Sequence, residues 1–358
     1  MATFPSADSV SPDWLTAQLH ANGIDGQVVD FTAARVGTGQ VGMCQRYELR
    51  YAEPVPGAPA TLVAKFASDD PTSRATGVLL RNYIKEVSFY QQMQGRLGIR
   101  TPKCYFADIV DEGPEFIVLM EDLAPAEQGN QLEGTSPDIA RAAVLELVGL
   151  HAPGWRDHSL QDLRWLVGDD SALEKQHTNL YAHHLPSFID RYGAHLSDDQ
   201  RRIIKRVGEA ADTPLNGELP EHFSLVHIDY RLDNMMILPV ADGYEITVVD
   251  WQSISLGAPL NDVAYFMGAG LLPEVRAEVE EDIVRAYHQA LLAAGVERLG
   301  WEECWHGYRR GVFAGFAVTV IASMVVQQTE RGDKMFIAMA QRHAQHALDL
   351  GSEEFLRD

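Results

Sequence analysis

The stretch Leu225-Val-His-Ile-Asp-Tyr-Arg-Leu-Asp-Asn-Met-Met-Ile237 decides the fold, together with a companion run, Ile246-Thr-Val-Val-Asp-Trp-Gln252. The first contains a His-x-Asp-x-x-x-x-Asn array, and in the second an apolar run ends on the carboxylate of Asp250. Phosphoryl transfer needs a carboxylate that orients the attacking hydroxyl group and oxygen ligands for the metal ion that screens the triphosphate. Asp229, Asn234 and Asp250 are of the types, and in the order, expected of a kinase catalytic loop and its metal-binding turn.

Two short buried strands, residues 223–228 and 235–238, are predicted on either side of this loop. Asp242-Gly243 lies between two apolar runs and predicts a hairpin turn. The hairpin would return Asp250 to the neighbourhood of Asn234, so that both oxygens face one Mg²⁺, a hard cation that prefers oxygen ligands. Asp and Asn also favour ordinary turns, so the loop alone supports both explanations equally, and motifs upstream decide between them.

A glycine-rich segment lies upstream, between two predicted strands. Residues 27–36 form the first strand, and the alternation of polar and apolar residues over 46–51 predicts the second. Gly37, Gly39 and Gly42 between them form a Gly-x-Gly-x-x-Gly pattern. A dinucleotide-binding fold would need a helix directly afterwards, so strand, glycine loop and strand instead predict a loop that folds over nucleotide phosphates. A plain hairpin with a glycine-rich turn is the alternative.

A lysine lies within the next apolar strand, residues 61–66. Lysine is rare among buried residues unless it is paired, so Lys65 is predicted to contact nucleotide phosphates and a helix carboxylate. Glu86, at the edge of the apolar stripe of a predicted helix over residues 81–97, is the candidate partner. The alternatives are an edge-strand or snorkelling lysine and a solvated glutamate.

Residues 103–110 and 115–120 predict two more strands, which complete a small five-stranded sheet with one packed helix. The segment that follows would be the hinge, where Glu121 and Leu123 are expected to bind the nucleotide base through backbone groups. From about residue 136 the chain is mainly helical. Asp262, which enters a predicted helix there, is expected to be a helix-terminus or loop-bracing residue rather than a catalyst.

Length and charge limit the class of protein. The 358 residues suffice for two lobes, predicted as residues 1–123, which bind the nucleotide, and 124–358, which carry the catalytic and acceptor sites. The formal charge of −22 argues against binding of nucleic acid or of anionic membrane surfaces. Cys44, Cys104 and Cys304 lack the spacing of a disulfide framework, and no signal peptide is recognisable, so we expect a cytoplasmic protein.

The uncharged segment over residues 311–326 is shorter than the roughly 20 residues that cross a bilayer. We therefore expect a buried central helix of the larger lobe and no membrane partner. The predicted class is α+β, a two-lobe protein-kinase-like fold with a small antiparallel sheet lobe and a larger helical lobe.

These motifs together, over residues 28–270, resemble the aminoglycoside phosphotransferase and choline kinase superfamily, including its ecdysteroid-kinase-like branch. The resemblance implies that Asp229 is the catalytic base and that His227 braces the catalytic loop. It further implies the nucleotide and metal ligands: Lys65 as phosphate clamp, Glu86 as its orienting partner, and Asn234 and Asp250 as ligands of Mg²⁺.

The sequence departs from protein kinases at two points. Trp251-Gln252 follows Asp250 where protein kinases have Phe-Gly, and an Ala-Pro-Glu activation segment is missing from the sequence. Both departures favour a small-molecule acceptor over a protein. Carboxylates that could bind an amine-bearing acceptor occur in runs that are also explained as solvated helix faces: Glu278, Glu280, Glu281, Asp282, Glu302 and Glu303.

The sequence therefore predicts a Mg²⁺-dependent kinase that transfers the γ-phosphoryl group of ATP or GTP to a hydroxyl of a small metabolite or antibiotic-like acceptor. One alternative is a nucleotide-binding, pseudokinase-like regulator without transfer. Another is a metallohydrolase with His227 and Asp229 as ligands, for which imidazole would favour zinc or iron over magnesium. That alternative leaves Lys65 and the glycine loop without a role.

Overall fold

The computed structural model describes residues 4–37, 41–168, 172–210, 215 and 219–357. Contacts between Cα atoms divide the chain into two compact units. Unit 1 comprises Met1–Arg96, Thr101–Pro125 and Asp250–Ser253, and unit 2 comprises Leu97–Arg100, Ala126–Val249 and Ile254–Asp358. The sequence predicted a single boundary after residue 123, whereas the chain returns to unit 1 for four residues that begin at Asp250.

The described residues of unit 1 contain the predicted five-stranded antiparallel sheet, with strands β1 Val28–Val36, β2 Gly42–Tyr51, β3 Thr61–Ala67, β4 Cys104–Ile109 and β5 Phe116–Glu121. The strand order, which the sequence did not predict, is β1-β2-β3-β5-β4. Leu62, Ala64, Ile117 and Leu119 of the inner strands are fully buried. The two central strands are apolar on both faces because both faces are covered, which is why Lys65 stands out in the sequence.

Three helices accompany this sheet: α1 Pro12–Ala21, α2 Pro71–Leu79 and α3 Asn82–Ser88. The sequence analysis did not predict α2, although Asp70 caps its first turn by accepting from the Ser73 N–H at 2.7 Å. The predicted helix over residues 81–97 is regular only as far as Ser88. A π-helical turn, Phe89–Met93, and a 3₁₀ turn, Gln94–Arg96, continue it.

Unit 2 is mainly helical, as predicted. Its described helices are α4 Pro137–Glu146, α5 Val148–His151, α6 Arg164–Val167, α7 Ala172–Tyr192, α8 Asp198–Glu209, α9 Pro259–Gly270, α10 Pro273–Ala293, α11 Trp301–Gly311, α12 Ala314–Val325 and α13 Glu330–Asp349. Two small antiparallel sheets accompany them, built from β6 Glu127–Gln128, β7 Ser224–Val226, β8 Met235–Val240, β9 Gly243–Val248 and β10 Ser255–Gly257. Strands β8 and β9 form the predicted hairpin, and β6, which was not predicted, pairs with β8.

Helix α9 is the central element of unit 2, because almost every one of its side chains is buried. Helix α12, within the segment predicted as a central helix, packs one face against α7, α9 and α13 and buries Phe316 and Val320. Among the described helices, the segment Trp301–Val325 has the length and composition of a membrane span, and half of its apolar window is buried in the protein. Helix α12 thus belongs to the core of unit 2.

Candidate active site

Lys65, Glu86 and Asp250 meet in unit 1, and we call them the Lys65 cluster. The Lys65 ammonium donates to Glu86 Oε2 at 2.5 Å and to Asp250 Oδ1 at 2.8 Å. The Glu86 side chain is 1% exposed, that of Lys65 is 9% exposed and that of Asp250 is 26% exposed. The predicted pair of Lys65 and Glu86 is therefore present, and Asp250 is a second carboxylate partner of the lysine.

Helix α3 and its π-helical turn hold the short segment that carries Asp250. Near the start of the helix, the Asn82 side chain donates to the Gln252 carbonyl at 3.0 Å. In the turn, the Phe89 ring stacks on Trp251 at a centroid distance of 3.9 Å and an angle of 5°. These contacts explain why this segment groups with unit 1. They also give Trp251, which replaces the phenylalanine of protein kinases, a packing role.

The two carboxylates of the Lys65 cluster stabilise the charge of the lysine, whereas the charge of Glu86 is opposed by burial and by Asp250. Burial by itself would lower the pKa of Lys65, but the carboxylates of Asp250 and Glu86 outweigh it and raise that pKa. Burial raises the pKa of the Glu86 carboxyl group, against the opposing effect of the Lys65 ammonium. Asp250 has a backbone φ of +67°, a left-handed conformation that is uncommon for a residue with a side chain. A strained backbone at a charged residue is typical of functional turns.

The glycine loop has a specific steric role at one position. A Cβ atom on Gly42 would lie 2.7 Å from Lys65 Cε and 3.3 Å from the Phe66 carbonyl oxygen, so glycine here gives the lysine side chain its path. Gly37 has a φ of +76°, which suits glycine at the end of β1. Gly39 lies outside the described residues, so its predicted role stays a prediction.

The predicted hinge follows β5. The Glu121 N–H donates to the Lys103 carbonyl at 2.9 Å, so it is not available to a ligand. Among the described residues, the Leu123 N–H has no hydrogen-bond partner. Between them, Asp122 Oδ1 accepts from Arg46 Nη2 at 2.9 Å and Oδ2 lies 2.6 Å from Arg46 Nε, and this ion pair fixes the chain at this point. The Glu121 N–H is therefore excluded from the expected backbone contacts to a nucleotide base, and the Leu123 N–H remains a candidate.

The loop with the His-x-Asp array lies in unit 2 and begins at the end of β7. The buried Asp262 carboxylate of α9 accepts from the His227 N–H at 2.6 Å and from the Ile228 N–H at 2.9 Å. Ile228 has a φ of +71°, and these two bonds stabilise that conformation. His151 contacts the same carboxylate at 3.3 Å. These bonds agree with the loop-bracing role expected of Asp262.

The Asp229 carboxylate is surrounded by hydrogen-bond donors within unit 2. Its Oδ1 accepts from Arg231 Nε and from the Tyr265 hydroxyl, each at 2.9 Å, and its Oδ2 accepts from Asn234 Nδ2 at 2.9 Å. We call these four residues the Asp229 cluster. Burial by itself would raise the pKa of Asp229, but the Arg231 guanidinium, with help from His227 and Tyr265, reverses the effect and lowers it. Asp229 is therefore ionised at neutral pH.

Asn234 has the orientation that a metal ligand needs. Its Nδ2 donates to both the backbone carbonyl and the Oδ2 of Asp229 at 2.9 Å, and both partners are acceptors only. The Oδ1 of Asn234 therefore points elsewhere and accepts no hydrogen bond from the described residues. Amide and carboxylate oxygens are the donor types that Mg²⁺ prefers, so Asn234 in unit 2 and Asp250 in unit 1 each fit this metal by their chemistry.

His227 is fully buried, and its Nε2 lies 3.1 Å from the Val249 carbonyl oxygen. Because a carbonyl only accepts, this nitrogen must carry a proton. The contact agrees with the bracing role expected of His227. For the metallohydrolase alternative, a search of the described residues for clusters of three or more His, Cys, Asp or Glu ligands finds none.

Two functional candidates escaped the sequence analysis, Tyr265 and Arg231. Tyr265 lies within the apolar run of α9, where a buried tyrosine looks like core. Arg231 also donates to Asp233 at 2.8 Å, and Arg331 binds Asp233 through both guanidinium nitrogens. The only available signal was that Arg231 follows Asp229 by two residues, and side-chain directions in a loop do not follow from spacing.

The acidic residues considered for an amine-bearing acceptor do not gather at Asp229. Five of them are exposed on helices: Glu278, Glu281, Asp282, Glu302 and Glu303. Glu280 is buried and paired, with Arg276 at 3.3 Å and the Tyr308 hydroxyl at 2.9 Å. The expectation that these runs are solvated helix faces therefore holds for all but Glu280.

Comparison with known proteins agrees with this geometry. The sequence profile of the phosphotransferase enzyme family matches residues 43–301. Among solved structures, choline kinase from Cryptosporidium parvum superposes with a TM-score of 0.56 at 10% identity, over 90% of this chain and 89% of the kinase. The GDP complex of wild-type aminoglycoside 2'-phosphotransferase-IIIa gives a TM-score of 0.52 at 12% identity, over 94% and 99% of the two chains. These similarities show a kinase-like fold.

One sequence relative is the Caenorhabditis elegans protein described as uncharacterized oxidoreductase dhs-27. It is 23% identical over 256 residues, which are 66% of this chain and 31% of the C. elegans protein. The chain thus spans about a third of the length of this relative. The similarity therefore concerns one segment of that protein.

Proposed function

This chain belongs to the phosphotransferase enzyme family, and we propose that it is a small-molecule kinase that transfers the γ-phosphoryl group of ATP or GTP to an acceptor hydroxyl. In the transfer, the bond between the γ-phosphorus and the bridging oxygen breaks, and the nucleoside diphosphate leaves. A new bond forms between phosphorus and the acceptor oxygen, and the hydroxyl proton is released. Such reactions need little covalent work from the protein, so positioning and charge stabilisation supply most of the catalysis.

Asp229 is the group proposed to receive or orient the acceptor hydroxyl. Its lowered pKa makes it a weak base, which suits a loose transition state in which the proton leaves late. Orientation then matters more than basicity. The hydrogen bonds of Asp262 to the loop backbone and those of the Asp229 cluster supply that orientation.

The nucleotide is proposed to be held by groups of unit 1. The Lys65 ammonium is proposed to contact phosphate oxygens, and the glycine loop between Gly37 and Gly42 is proposed to bind them through backbone N–H groups. Asn234 and Asp250 are proposed to offer oxygen ligands to Mg²⁺, which neutralises charge on the triphosphate when bound. Leu123 is proposed to contact the base through its N–H group.

The acceptor is proposed to be a small hydroxyl compound. Choline and aminoglycosides, named for two structures of the same fold, carry positive charge. However, Asp233, which shares Arg231 with Asp229, is also paired with Arg331, so its charge is already balanced. On this ground we propose an acceptor without an ammonium group ahead of a polyamine.

The observation that carries the proposal is the pairing of Lys65 with both Glu86 and Asp250. These three residues, of which Lys65 and Asp250 lie 185 residues apart along the chain, were assigned to one reaction from the sequence. A buried lysine between two carboxylates has no simpler explanation in a sheet whose other inner residues are apolar.

The test is a phosphorylation screen with ATP and with GTP over aminoglycosides, choline-like amines, sugars, hydroxyacyl compounds and sterols, read by mass spectrometry of the acceptor. We expect at least one class to gain a phosphoryl group in a Mg²⁺-dependent manner. Asp229→Asn should lower that rate by about 10²- to 10⁴-fold, the usual contribution of a positioned acid–base group. Its affinity for nucleotide, measured by calorimetry, should stay unchanged.

Full activity of the Asp229→Asn variant would remove Asp229 from the mechanism. Nucleotide binding by the wild-type protein without phosphorylation of any acceptor would support the pseudokinase-like regulator instead. Glu281→Gln, which alters an exposed carboxylate on α10, is the matched control and should behave like the wild type.

A further inference from the structure

Helix α9 contacts the catalytic loop through two side chains, three residues apart and on the same face. Asp262 holds the loop backbone by accepting from the N–H groups of His227 and Ile228. Tyr265, one turn later, donates its hydroxyl to Asp229 Oδ1 at 2.9 Å. The first contact fixes where the loop lies, and the second fixes how the Asp229 carboxylate is turned.

The two oxygens of Asp229 differ in what remains open to a ligand. A carboxylate oxygen can accept about two hydrogen bonds. Oδ1 already accepts two, from Arg231 Nε and from the Tyr265 hydroxyl. Oδ2 accepts one from the described residues, from Asn234 Nδ2, and the Asp229 side chain is 22% exposed. The remaining acceptor site of this carboxylate is therefore on Oδ2.

Tyr265 itself is held rigidly. It is fully buried, and its ring stacks on that of His343 at a centroid distance of 5.3 Å and an angle of 11°. The His343 ring lies where side chains at two glycine positions would collide with it. A Cβ atom on Gly315 would come within 2.2 Å of the ring and one on Gly268 within 2.7 Å. The phenol hydroxyl is thus aimed by packing and not by its own bond alone.

We propose that Tyr265 is a positioning residue for phosphoryl transfer. Tyr265 and Arg231 together occupy both acceptor sites of Oδ1, so that Asp229 presents Oδ2 to the acceptor hydroxyl in one fixed orientation. This inference rests on the proposed function, because it assumes that Asp229 receives that hydroxyl. Tyr265 does not touch the acceptor and exchanges no proton with it.

A double-mutant cycle tests the inference, with the wild type, Tyr265→Phe, Asp229→Asn and the double variant. Tyr265→Phe should lower kcat about tenfold, the effect of one hydrogen bond to a charged group, and leave nucleotide affinity unchanged. In the Asp229→Asn background the same substitution should change the residual rate less than about twofold, because its partner is already altered. A purely structural role of Tyr265 would give the same loss in both backgrounds and would overturn the inference, as would an unchanged kcat in Tyr265→Phe.

Tyr308→Phe is the matched control. Tyr308 is also fully buried in unit 2, and its hydroxyl donates to a carboxylate, Glu280 Oε2, at the same distance of 2.9 Å. Removal of the Tyr308 hydroxyl eliminates a comparable hydrogen bond that does not involve Asp229. We expect kcat of Tyr308→Phe to equal that of the wild type, and a tenfold loss there would contradict the assignment of the effect to Asp229.

A measurement without turnover separates this inference from the proposed function. In protein labelled with ¹³C at aspartate Cγ, the resonance of Asp229 is the one that Asp229→Asn removes. Loss of the Tyr265 hydroxyl should shift this resonance at a fixed pH of 7.5, because Oδ1 then accepts one hydrogen bond instead of two. An unchanged resonance position would overturn the inference even if transfer is observed. A shifted resonance in a protein that phosphorylates no acceptor would support the contact and reject the proposed function.

Discussion

In unit 1 a buried ammonium lies between two carboxylates, whereas in unit 2 a partly exposed carboxylate lies between a guanidinium, a phenol and an amide. The Lys65 cluster has a formal charge of −1 when all its groups are ionised, since Glu86 and Asp250 share one cation. In the Asp229 cluster, one positive and one negative charge cancel, and the other partners are neutral donors. With all groups ionised, the Lys65 cluster has one negative charge in excess of its positive charge. The Asp229 cluster has no excess charge but retains one hydrogen-bond acceptor site, on Asp229 Oδ2.

This difference in charge suggests different roles for the two clusters in the proposed transfer. Spare negative charge at Asp250 favours a cation, which suits a metal ligand. The charge of the Asp229 carboxylate is already balanced, so its proposed contribution is the orientation in which it meets the acceptor hydroxyl. The Lys65 cluster should therefore respond to changes of charge, and the Asp229 cluster to changes of geometry.

Among the substitutions proposed here, Lys65→Met should cause the largest losses of stability and of transfer rate. It leaves Glu86 and Asp250 without their shared cation, which costs about 3–5 kcal/mol when one partner of a buried pair is removed. Transfer should fall by about 10²- to 10³-fold through loss of a phosphate contact. Urea unfolding and kcat measure the two effects.

The control for this change is Arg50→Met in the same sheet. Arg50 pairs with Asp30 at 2.8 Å, but both side chains are more than half exposed. Its removal should leave the urea midpoint and kcat unchanged, because water screens exposed pairs. Equal losses in both variants would mean that the burial of the Lys65 cluster has no special effect.

Gly42→Ala tests whether the Lys65 cluster, which we expect to respond to changes of charge, also depends on geometry. The added methyl group would collide with Lys65 Cε and displace the ammonium without removing it. We expect about a tenfold loss of kcat/KM for the nucleotide, the order of a weakened charged hydrogen bond. The control is Gly95→Ala in unit 1, where an added Cβ atom meets no atom within 4 Å. Equal effects of both substitutions would contradict a steric role for Gly42.

A charge that lies beside or within an apolar run is easier to identify from the sequence than a residue that resembles its neighbours. Lys65, Glu86 and Asp250 could be identified because each is a charge beside or within an apolar run, where an unpaired charge is costly. Tyr265 could not, because a phenol in the apolar run of α9 looks the same whether its hydroxyl meets a carboxylate or a carbonyl. The hydrogen-bond partner of a buried tyrosine depends on tertiary packing, which periodicity does not report.

The fold shows the same limit. The two-lobe kinase-like fold and its five-stranded sheet were confirmed, with most strand ends within a few residues, because alternation and turn residues are local signals. The helix over residues 81–97 changes to a π-helical turn at Phe89, and its apolar stripe gives no sign of that change. Strand β6 has two residues, too few for any pattern. Helix α2 was missed although Asp70-Pro71 is a recognisable helix start.

The weakest predicted effect concerns His343, the ring that stacks on Tyr265 of the Asp229 cluster. Burial lowers the pKa of His343 well below its ordinary value of 6.5, and the charges of Arg342 and Arg276 act in the same direction. The native protein thus keeps this ring neutral, while the unfolded chain binds a proton below about pH 6.5. The free energy of unfolding should therefore fall with decreasing pH, by about 1.4 kcal/mol per pH unit below 6.5 from this residue.

Replacement of His343 by phenylalanine keeps an aromatic ring against Tyr265 and removes the titrating group. Urea unfolding at pH 7.5 and pH 5.5 should then show a loss of stability smaller than that of the wild type by about 1.4 kcal/mol. The comparison uses the difference between two pH values, so a general cost of the substitution cancels. If both proteins lose the same amount, His343 accepts a proton in the folded state, and the support of the Asp229 cluster is charged, like the Lys65 cluster, and not neutral.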